Sequence, residues 1–582
     1  MNRQDEQTEA LYHRGQDLAA YEHMGCHVLD DGDGYLYTFR VWAKDAVSVT
    51  LTGDFCHWRK GVPLHRITEE GLWETELASP ISLEGTKYRY HVTGTDDTFP
   101  IGDPYTPYYP LGVSDVGVIS HPSAYEWQDG GWFSYRDATI PAGETLPLHI
   151  YELHLDSFLA REDGSRLSFR DLADKLIPYV KYMGYTHVEI LPVVSDGSAP
   201  TCEYGALFAP DPRFGTADDF CYLIDRMHQA GVGVILGWLP VPYRRDEAAQ
   251  DNSVTVPLTV DFSSGEIVSL LLSNACYWVS RYHIDGIHLM NTVAVPKEFA
   301  VRFNRALRDH YRTVLRISDD LPQATVPSRE GGLGFAIKWG FSWREALGEY
   351  LSYDFDKRTS RTDLLTDAIL KNQGENAILS LSHEFVMAGR SSLMDKAYGT
   401  PDEKVAQFKT AYMLQMTRSG KKLMFMGCEN GQFTEWRPEE PLEWNLLDRP
   451  SHMAIREYVA ALNRFYLTAP ELWSQDEWGR GFEWLSPLDP QPNTVAYRRF
   501  APDGTSLWVI LSFARESVTL TFPTDARSTY DYVFETANNG TPRPPLRPQP
   551  SATGNPSSVL AVEIPPMSGL ILRPCGDQHT IT

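Results

Sequence analysis

The hydrophobic period of this chain changes twice, and that change limits the possible folds more than any single motif does. Between about residues 126 and 470, short apolar runs alternate with amphipathic helical segments, whereas on either side apolar residues recur at every second position. The first four strand candidates are 148–155 (LHIYELHL), 186–193 (THVEILPV), 232–240 (VGVILGWLP) and 284–291 (IDGIHLMN). VLRIS, FAIKW, AILSLSHE and KLMFMG follow at 314–318, 335–339, 377–384 and 422–427. Helix starts separate them. Ser168 with Asp171, Thr216 with Asp219 and Ser263 with Glu266 have capping-box spacing, Leu172, Leu176, Val180 and Met183 share one helix face, and Gly184 is placed to end that helix. Ile267, Leu271 and Trp278 make the apolar face of the helix that leads into 284–291. This alternation predicts a parallel (β/α)8 barrel.

The flanks predict β-sandwiches. In 21–125 the segments YLYTFRVWA, VSVTLTGDF, GLWETEL and KYRYHVTG alternate apolar with polar between Gly, Asp and Pro turns. In 471–582 FEWLSPL, VAYRRFA, SLWVILSF, VTLTFP and LAVEIPP do the same, and the Pro-rich 541–550 reads as a loop within that domain. Residues 1–20 form a polar lead-in with helical character. The expected order is thus lead-in, N-terminal β-sandwich, central TIM barrel at 126–470 and C-terminal all-β domain.

At 582 residues the chain is too long for one core. Its formal net charge of -25 argues against nucleic acid as a partner, since phosphate binding needs clustered Lys and Arg. The N-terminal MNRQDEQTEALYHRGQ lacks the apolar stretch of a secretion signal, and no run reaches the ~18 apolar residues of a membrane span, so a cytoplasmic protein is expected. The 7 cysteines are odd in number and show no CxxC spacing, which disfavours a disulfide framework and a zinc site. Reduced thiols and no metal or cofactor are expected.

The run TFRVWA, GDFCHW, GLWE, YRY and DPY resembles the N-terminal carbohydrate-binding module of branching and debranching enzymes. Trp42, Trp58 and Trp73 offer faces on which glucose rings stack, although their strand positions favour core packing. Longer strings extend the match: YELHLDSF, THVEILPV, FAPDPRFGTADDF, HQAGVGVIL, LLSNA, YHIDG, EGGLGFAIKW, GKKLMFMG and PLEWNLLD. Together, from about residue 25 to the C-terminus, they resemble bacterial 1,4-α-glucan (glycogen) branching enzymes of the α-amylase superfamily.

That resemblance implies cleavage of an α-1,4 linkage through a covalent glycosyl-enzyme intermediate and transfer to a 6-hydroxyl. Such retaining chemistry needs a carboxylate nucleophile and a carboxylic acid about 5–5.5 Å apart, at the C-terminal ends of barrel strands. Position by position, those groups are missing. The family's strand-three pattern Asp-x-x-Pro-x-His falls on Gly237 to Pro242, so both sugar-contacting ends are absent. The strand-four pattern Asp-Gly-x-Arg-x-Asp falls on Asp285-Gly286, with His288 for the Arg and Met290 for the nucleophile. Counted back from Glu330 to Gly334, the strand-five Ala-Glu-Glu-Ser falls on Leu315 to Ser318, which puts Arg316 at the general-acid position. On strand seven Ser-His-Asp becomes Ser382-His383-Glu384, so the third carboxylate survives one methylene longer.

Cys202 replaces an aromatic of the cleavage subsite, and the segments 243–270 and 295–299 are shorter than the loops that wall the family's acceptor groove. His383, Glu384, His288, Trp238 and Glu203 remain as candidate substrate contacts. Asp319 and Asp320 are fallback acids if strand five is shifted, and Asp285 matches a structural position. The expected function is a branching-enzyme homologue without catalysis that binds α-glucan or partners an active enzyme of glycogen metabolism. Two alternatives stand beside it: an active glucanotransferase using Asp319 or Asp320 with Glu384, and a structural or regulatory subunit without sugar affinity.

Overall fold

The computed structural model describes residues 3–575 apart from 112–114, 122, 140–145, 162, 194–206, 242, 246–254, 258–259, 373–374, 388, 477–479, 538–542 and 552–557. As expected from the change of period, parallel strands in the middle of the chain close a barrel in sequence order. They are β1 (His149–Leu153), β2 (His187–Ile190), β3 (Gly233–Trp238), β4 (Gly286–Leu289), β5 (Leu315–Ser318), β6 (Ile337–Gly340), β7 (Ala377–Leu381) and β8 (Lys421–Phe425). Two compact units make up the chain. One comprises Met1–Ala138, Arg161–Ile177 and Ile190–Phe335, the other Thr139–Ala160, Pro178–Glu189 and Ala336–Thr582.

The first unit holds the N-terminal sandwich and β3 to β5. Tyr35–Trp42 pairs with Gly25–Asp30 and Leu72–Ser79, while Ser48–Gly53 pairs with Lys87–Thr93, all antiparallel. Alternation sends Tyr37, Phe39 and Val41 inward to meet Val49, Leu51, Tyr88 and Tyr90. At about 1.5–3 kcal/mol per fully buried large apolar side chain, this cluster is what holds so small a domain together. Trp73 belongs to it and Trp42 is half buried, donating Nε1 to the Glu70 carbonyl at 3.0 Å. Trp58 differs. It follows His57 in two successive left-handed residues, φ 50° and 59°, and is 37% exposed.

The lead-in forms the helix Arg3–His13, which lies against the helix Gly265–Tyr282. Their approach is so close that a Cβ at Gly265 would stand 1.9 Å from the His13 carbonyl oxygen. The cap of the second helix sits one residue later than the Ser263 spacing suggests. Ser264 Oγ accepts from Ile267 N at 3.4 Å, because Ser263 is taken up by Asp261. Thr216 and Asp219 make the expected reciprocal cap, and so do Ser168 and Asp171.

Asp285, read as structural, is the centre of a buried network at the start of β4. Its carboxylate accepts from Trp132 Nε1 at 2.8 Å, Arg136 Nη1 at 2.9 Å, Val234 N at 2.8 Å and His228 Nε2 at 2.9 Å. The other His228 nitrogen meets Asp129 at 2.9 Å, and Asp129 also meets His283 at 2.7 Å. Residues 129–136 are thereby fastened to the base of β3 and β4.

The second unit holds β1, β2, β6 to β8 and the C-terminal sandwich. One sheet runs Phe482–Trp484, Thr494–Phe500, Ser506–Ser512, Ser568–Cys575, Thr529–Glu535, and Val518–Pro523 pairs with Ser558–Ile564 in the other. The segment 541–550 is more than a loop: Leu546 exchanges backbone hydrogen bonds with Tyr530, and Gln549–Pro550 pairs with the edge of Ser558–Ile564. Pro550 is tolerated there because an edge position needs no ladder donor. Buried Arg499 binds Asp476 at 3.1 Å, and Lys421 at the start of β8 binds the same carboxylate at 3.0 Å. Among the described residues no helix is long and apolar enough to cross a membrane.

Burial alone would depress the His228 pKa, but Asp285 and Asp129 outweigh it and hold the imidazole up at about 8, against an ordinary 6.5. The stabilisation from this bridge is complete below about pH 6.5 and is lost as pH rises through about 8; it amounts to ~2 kcal/mol. Thermal unfolding across that window is expected to show a falling Tm in the wild type and a flatter profile in His228→Gln. Equal pH sensitivity in both would contradict this account.

Candidate functional site

In neighbouring parallel strands, residues paired across the ladder point to the same side. Leu236, Ile287 and Arg316 form one such row, Gly237, His288 and Ile317 the next, and Trp238, Leu289 and Ser318 the third. Trp238 fixes the direction. Its ring stacks on Phe303 of the helix Lys297–His310 at 5.4 Å and 8°, and its Nε1 donates to Asn274 Oδ1 at 2.8 Å in Gly265–Tyr282. The Trp238 row therefore faces the helices, and so, two residues back, does the Arg316 row. Gly237, His288, Ile317, and after them Met290 and Asp319, face inward.

Three of the candidate residues have partners within the protein. Trp238 is 4% exposed and packed between helices. Arg316 faces the helices: its Nη1 donates to the Val314 carbonyl at 3.3 Å, and Arg308 and Asp309 are the charges that act on it. Burial first, and then Arg308, lower its pKa. The side chain of His288 is wholly buried. Its Nε2 meets Asp319 Oδ1 at 3.1 Å.

Asp319 joins β4 to β5. Oδ2 accepts from Thr292 N at 2.9 Å, and Asp319 N donates to Thr292 Oγ1 at 3.2 Å. Asn291 makes this possible: its left-handed φ of 55° turns the chain so that Thr292 presents its amide to the carboxylate. Asp320 follows in the same turn and is half buried.

Met290 and Gly237 fit each other. Met290 N donates to the Trp238 carbonyl at 2.9 Å, setting the residue just beyond β4. A Cβ built on Gly237 would be 2.9 Å from Met290 Sδ and 3.2 Å from the Ile190 carbonyl oxygen. The thioether thus occupies the room that an aspartate at 237 would need.

In the second unit the strand ends carry a different arrangement. Glu152 at the end of β1 is fully buried and accepts from His383 N at 2.9 Å and from His383 Nδ1 at 2.5 Å. Burial lowers the His383 pKa, but Glu152 outweighs it and raises the net value. The next residue turns elsewhere. Glu384 Oε2 accepts from Arg344 Nη2 at 3.4 Å and its side chain is 46% exposed, while Arg344 Nη1 donates to Ser382 Oγ at 2.6 Å. Phe341 and Phe385 cover the guanidinium at 4.4 and 5.1 Å.

Sequence reasoning missed Glu152, Arg344 and Glu429. Tyr151 and Tyr179 donate to Glu429 Oε1 at 2.8 and 2.6 Å, and burial raises its pKa despite them. For Glu152 and Glu429 the signal was available: an acid inside the apolar YELHL and FMGCENG runs has to be partnered. Arg344 lies on an ordinary helix and has no such signal. Cys202 and Glu203 lie outside the described residues, as do 246–254 and 258–259 of the short segment after Tyr243. Among the described residues, no group of His, Cys, Asp and Glu is arranged to hold a metal ion.

Residues 23–106 match the family model of carbohydrate-binding module 48 (isoamylase N-terminal domain). The chain is 32% identical to the 1,4-alpha-glucan branching enzyme GlgB of Oceanobacillus iheyensis, over 84% of this chain and 84% of that protein. It is 33% identical to the enzyme of that name from Halothermothrix orenii, over 86% of each. Among solved structures it is similar in fold to pullulanase type I from Bacillus subtilis complexed with maltose, with TM-score 0.71 and 17% identity, covering 95% of this chain and 85% of that one.

Gly237→Asp is expected to cost ~1–3 kcal/mol as an overpacking change, and Met290→Ala in the same chain to return part of that cost. Urea unfolding of the two single variants and the double variant measures the coupling; strictly additive effects would contradict the fit between the two residues.

Proposed function

Because the chain belongs to the 1,4-alpha-glucan branching enzyme family, we propose that it is a member that binds α-glucan without transferring it. The observation that carries this reading is Met290, whose thioether lies over Gly237 where the family's nucleophile and its neighbouring aspartate would stand. A thioether forms no glycosyl ester and carries no charge to stabilise an oxocarbenium ion. The other acids support the same reading through their attachments. Asp319 is held by His288 and Thr292, and Glu384 by Arg344. Enzymes remove roughly 8–23 kcal/mol from their barriers, and charged groups acting as a unit supply that reduction non-additively, so loss of the nucleophile alone removes most of it.

Binding is supported by the family model over residues 23–106 and by Trp58. The two left-handed residues present its ring at the surface, with Nε1 held by Asp54 Oδ1 at 2.8 Å and the Arg89 guanidinium 5.4 Å from the ring centroid. An indole fixed in this way offers a rigid apolar face to a sugar. The setting of that binding is the glycogen metabolism of the cytoplasm, alone or beside an active enzyme of the same pathway.

The second reading, an active glucanotransferase with relocated acids, draws on the inward turn of Asp319 together with Asp320 and Glu384. Incubation of the pure protein with amylose distinguishes the two. No shift of the iodine spectrum and no new α-1,6 linkages are expected, and either change would sink the non-catalytic reading. Met290→Asp combined with Arg316→Glu is expected to remain inactive, because residue 316 faces the helices and Gly237 is unchanged.

Native electrophoresis in glycogen-containing gels tests the binding half. Retarded migration is expected, weakened in Trp58→Ala. Wild-type mobility unaffected by glycogen would remove glucan as the ligand and leave a protein-partnering or structural subunit.

A further inference from the structure

Away from the strand ends, the second unit carries an open groove of about 660 Å³ between residues 352–356 and 395–404, closed on one side by Arg515. That volume lies within the roughly 300–1,000 Å³ of small-ligand sites. None of the residues discussed at the strand ends lines it.

Its apolar floor is a pair of rings. Tyr398 is 49% exposed and meets Phe355 edge to face, with centroids 5.5 Å apart and planes at 75°. The walls carry both signs of charge in nearly equal number, Asp354, Asp356, Asp395 and Glu403 against Lys396, Lys404 and Arg515, and two pairs of these bind each other. Lys404 binds Asp395 at 2.5 Å, and Arg515 binds Glu403 at 3.0 Å while lying 5.2 Å from the Phe355 centroid. Walls of nearly balanced charge leave little net field to select an anion or a cation. They still present carboxylate oxygens and N–H donors to a neutral ligand rich in hydroxyls.

The groove is also built in advance. Arg358, fully buried, donates to the carbonyls of Leu351 and Tyr353 and to Gln407, and Gln407 Nε2 donates to the Tyr398 carbonyl at 2.9 Å. Tyr398 N donates to the Leu351 carbonyl at 2.8 Å. These bonds tie both rims to one internal arginine, so the backbone that carries the exposed ring is fixed without a ligand and little backbone ordering is needed on binding.

We propose that this groove is a second α-glucan-binding site, in which Tyr398 stacks on the apolar face of a glucose unit and the Asp395 and Glu403 carboxylates accept from its hydroxyls. The proposal rests on α-glucan being the ligand of the chain, as argued above, but on a site independent of Trp58. A chain carrying two such sites holds one branched particle at two points, or two particles together.

Glycogen affinity gels run with the full chain as wild type, Trp58→Ala, Tyr398→Ala, Tyr398→Trp and the Trp58→Ala/Tyr398→Ala double variant test it, with maltoheptaose titration calorimetry on each. Tyr398→Ala is expected to weaken retention roughly five- to tenfold, Tyr398→Trp to preserve it, and the double variant to migrate as if no glycogen were present. Thermal melts matching the wild type show that Tyr398→Ala remains folded; should it not, the maltoheptaose stoichiometry of Trp58→Ala decides, with one site supporting the groove and none overturning it. Loss of all retention in Trp58→Ala with no effect of Tyr398→Ala overturns the groove and leaves the main reading standing. Unretarded wild type overturns both.

Discussion

A side chain on a barrel strand has only two directions available, and the rest of this molecule's chemistry follows from which one each residue takes. The stacking of Trp238 on Phe303 fixes the direction of its row, and the ladder carries that choice across β4 and β5. His288 and Asp319 then meet because they share the inner row, and Arg316 is directed to the helices because it does not. The same alternation brings Met290 over Gly237. Single substitutions in this region therefore act in pairs.

Much of the architecture was legible in the residues. The switch from period two to strand-helix alternation gave the barrel between two β domains, and the capping pairs at Ser168 and Thr216 marked helix starts correctly. Asp285 was read as structural from its place in the strand, and the structure supplies the reason: two cationic or proton-bearing side chains, an indole and a backbone amide converge on one carboxylate. The family was legible too, because its strings occur in order across all three domains.

The strand ends were less legible, and for a definable reason. Counting residues back from EGGLG places Arg316 at a position along the chain but says nothing about its side, and side is what decides whether a group reaches a substrate. Trp238 and His288 show the same limit: an aromatic and an imidazole at strand ends have the right composition for sugar contact, and only the structure reveals the packing and the buried hydrogen bond that engage them. Glu152 stands out as an acid in an otherwise apolar strand, which says that it has a partner, but only its bonds to His383 show which one.

The orientation of Arg316 also sets what a single substitution can bring into the barrel at β5. At β4 the change from thioether to carboxylate is a matter of one side chain, although Gly237 would have to accommodate it. At β5 the phase of the strand itself stands in the way: bringing position 316 inward needs a one-residue slip, which would turn Ile317 outward and separate Asp319 from His288 and Thr292. The two strand ends thus answer differently to substitution. One changes with a single side chain, while the other is locked by its register, because every hydrogen bond that Asp319 makes would be broken by a slip.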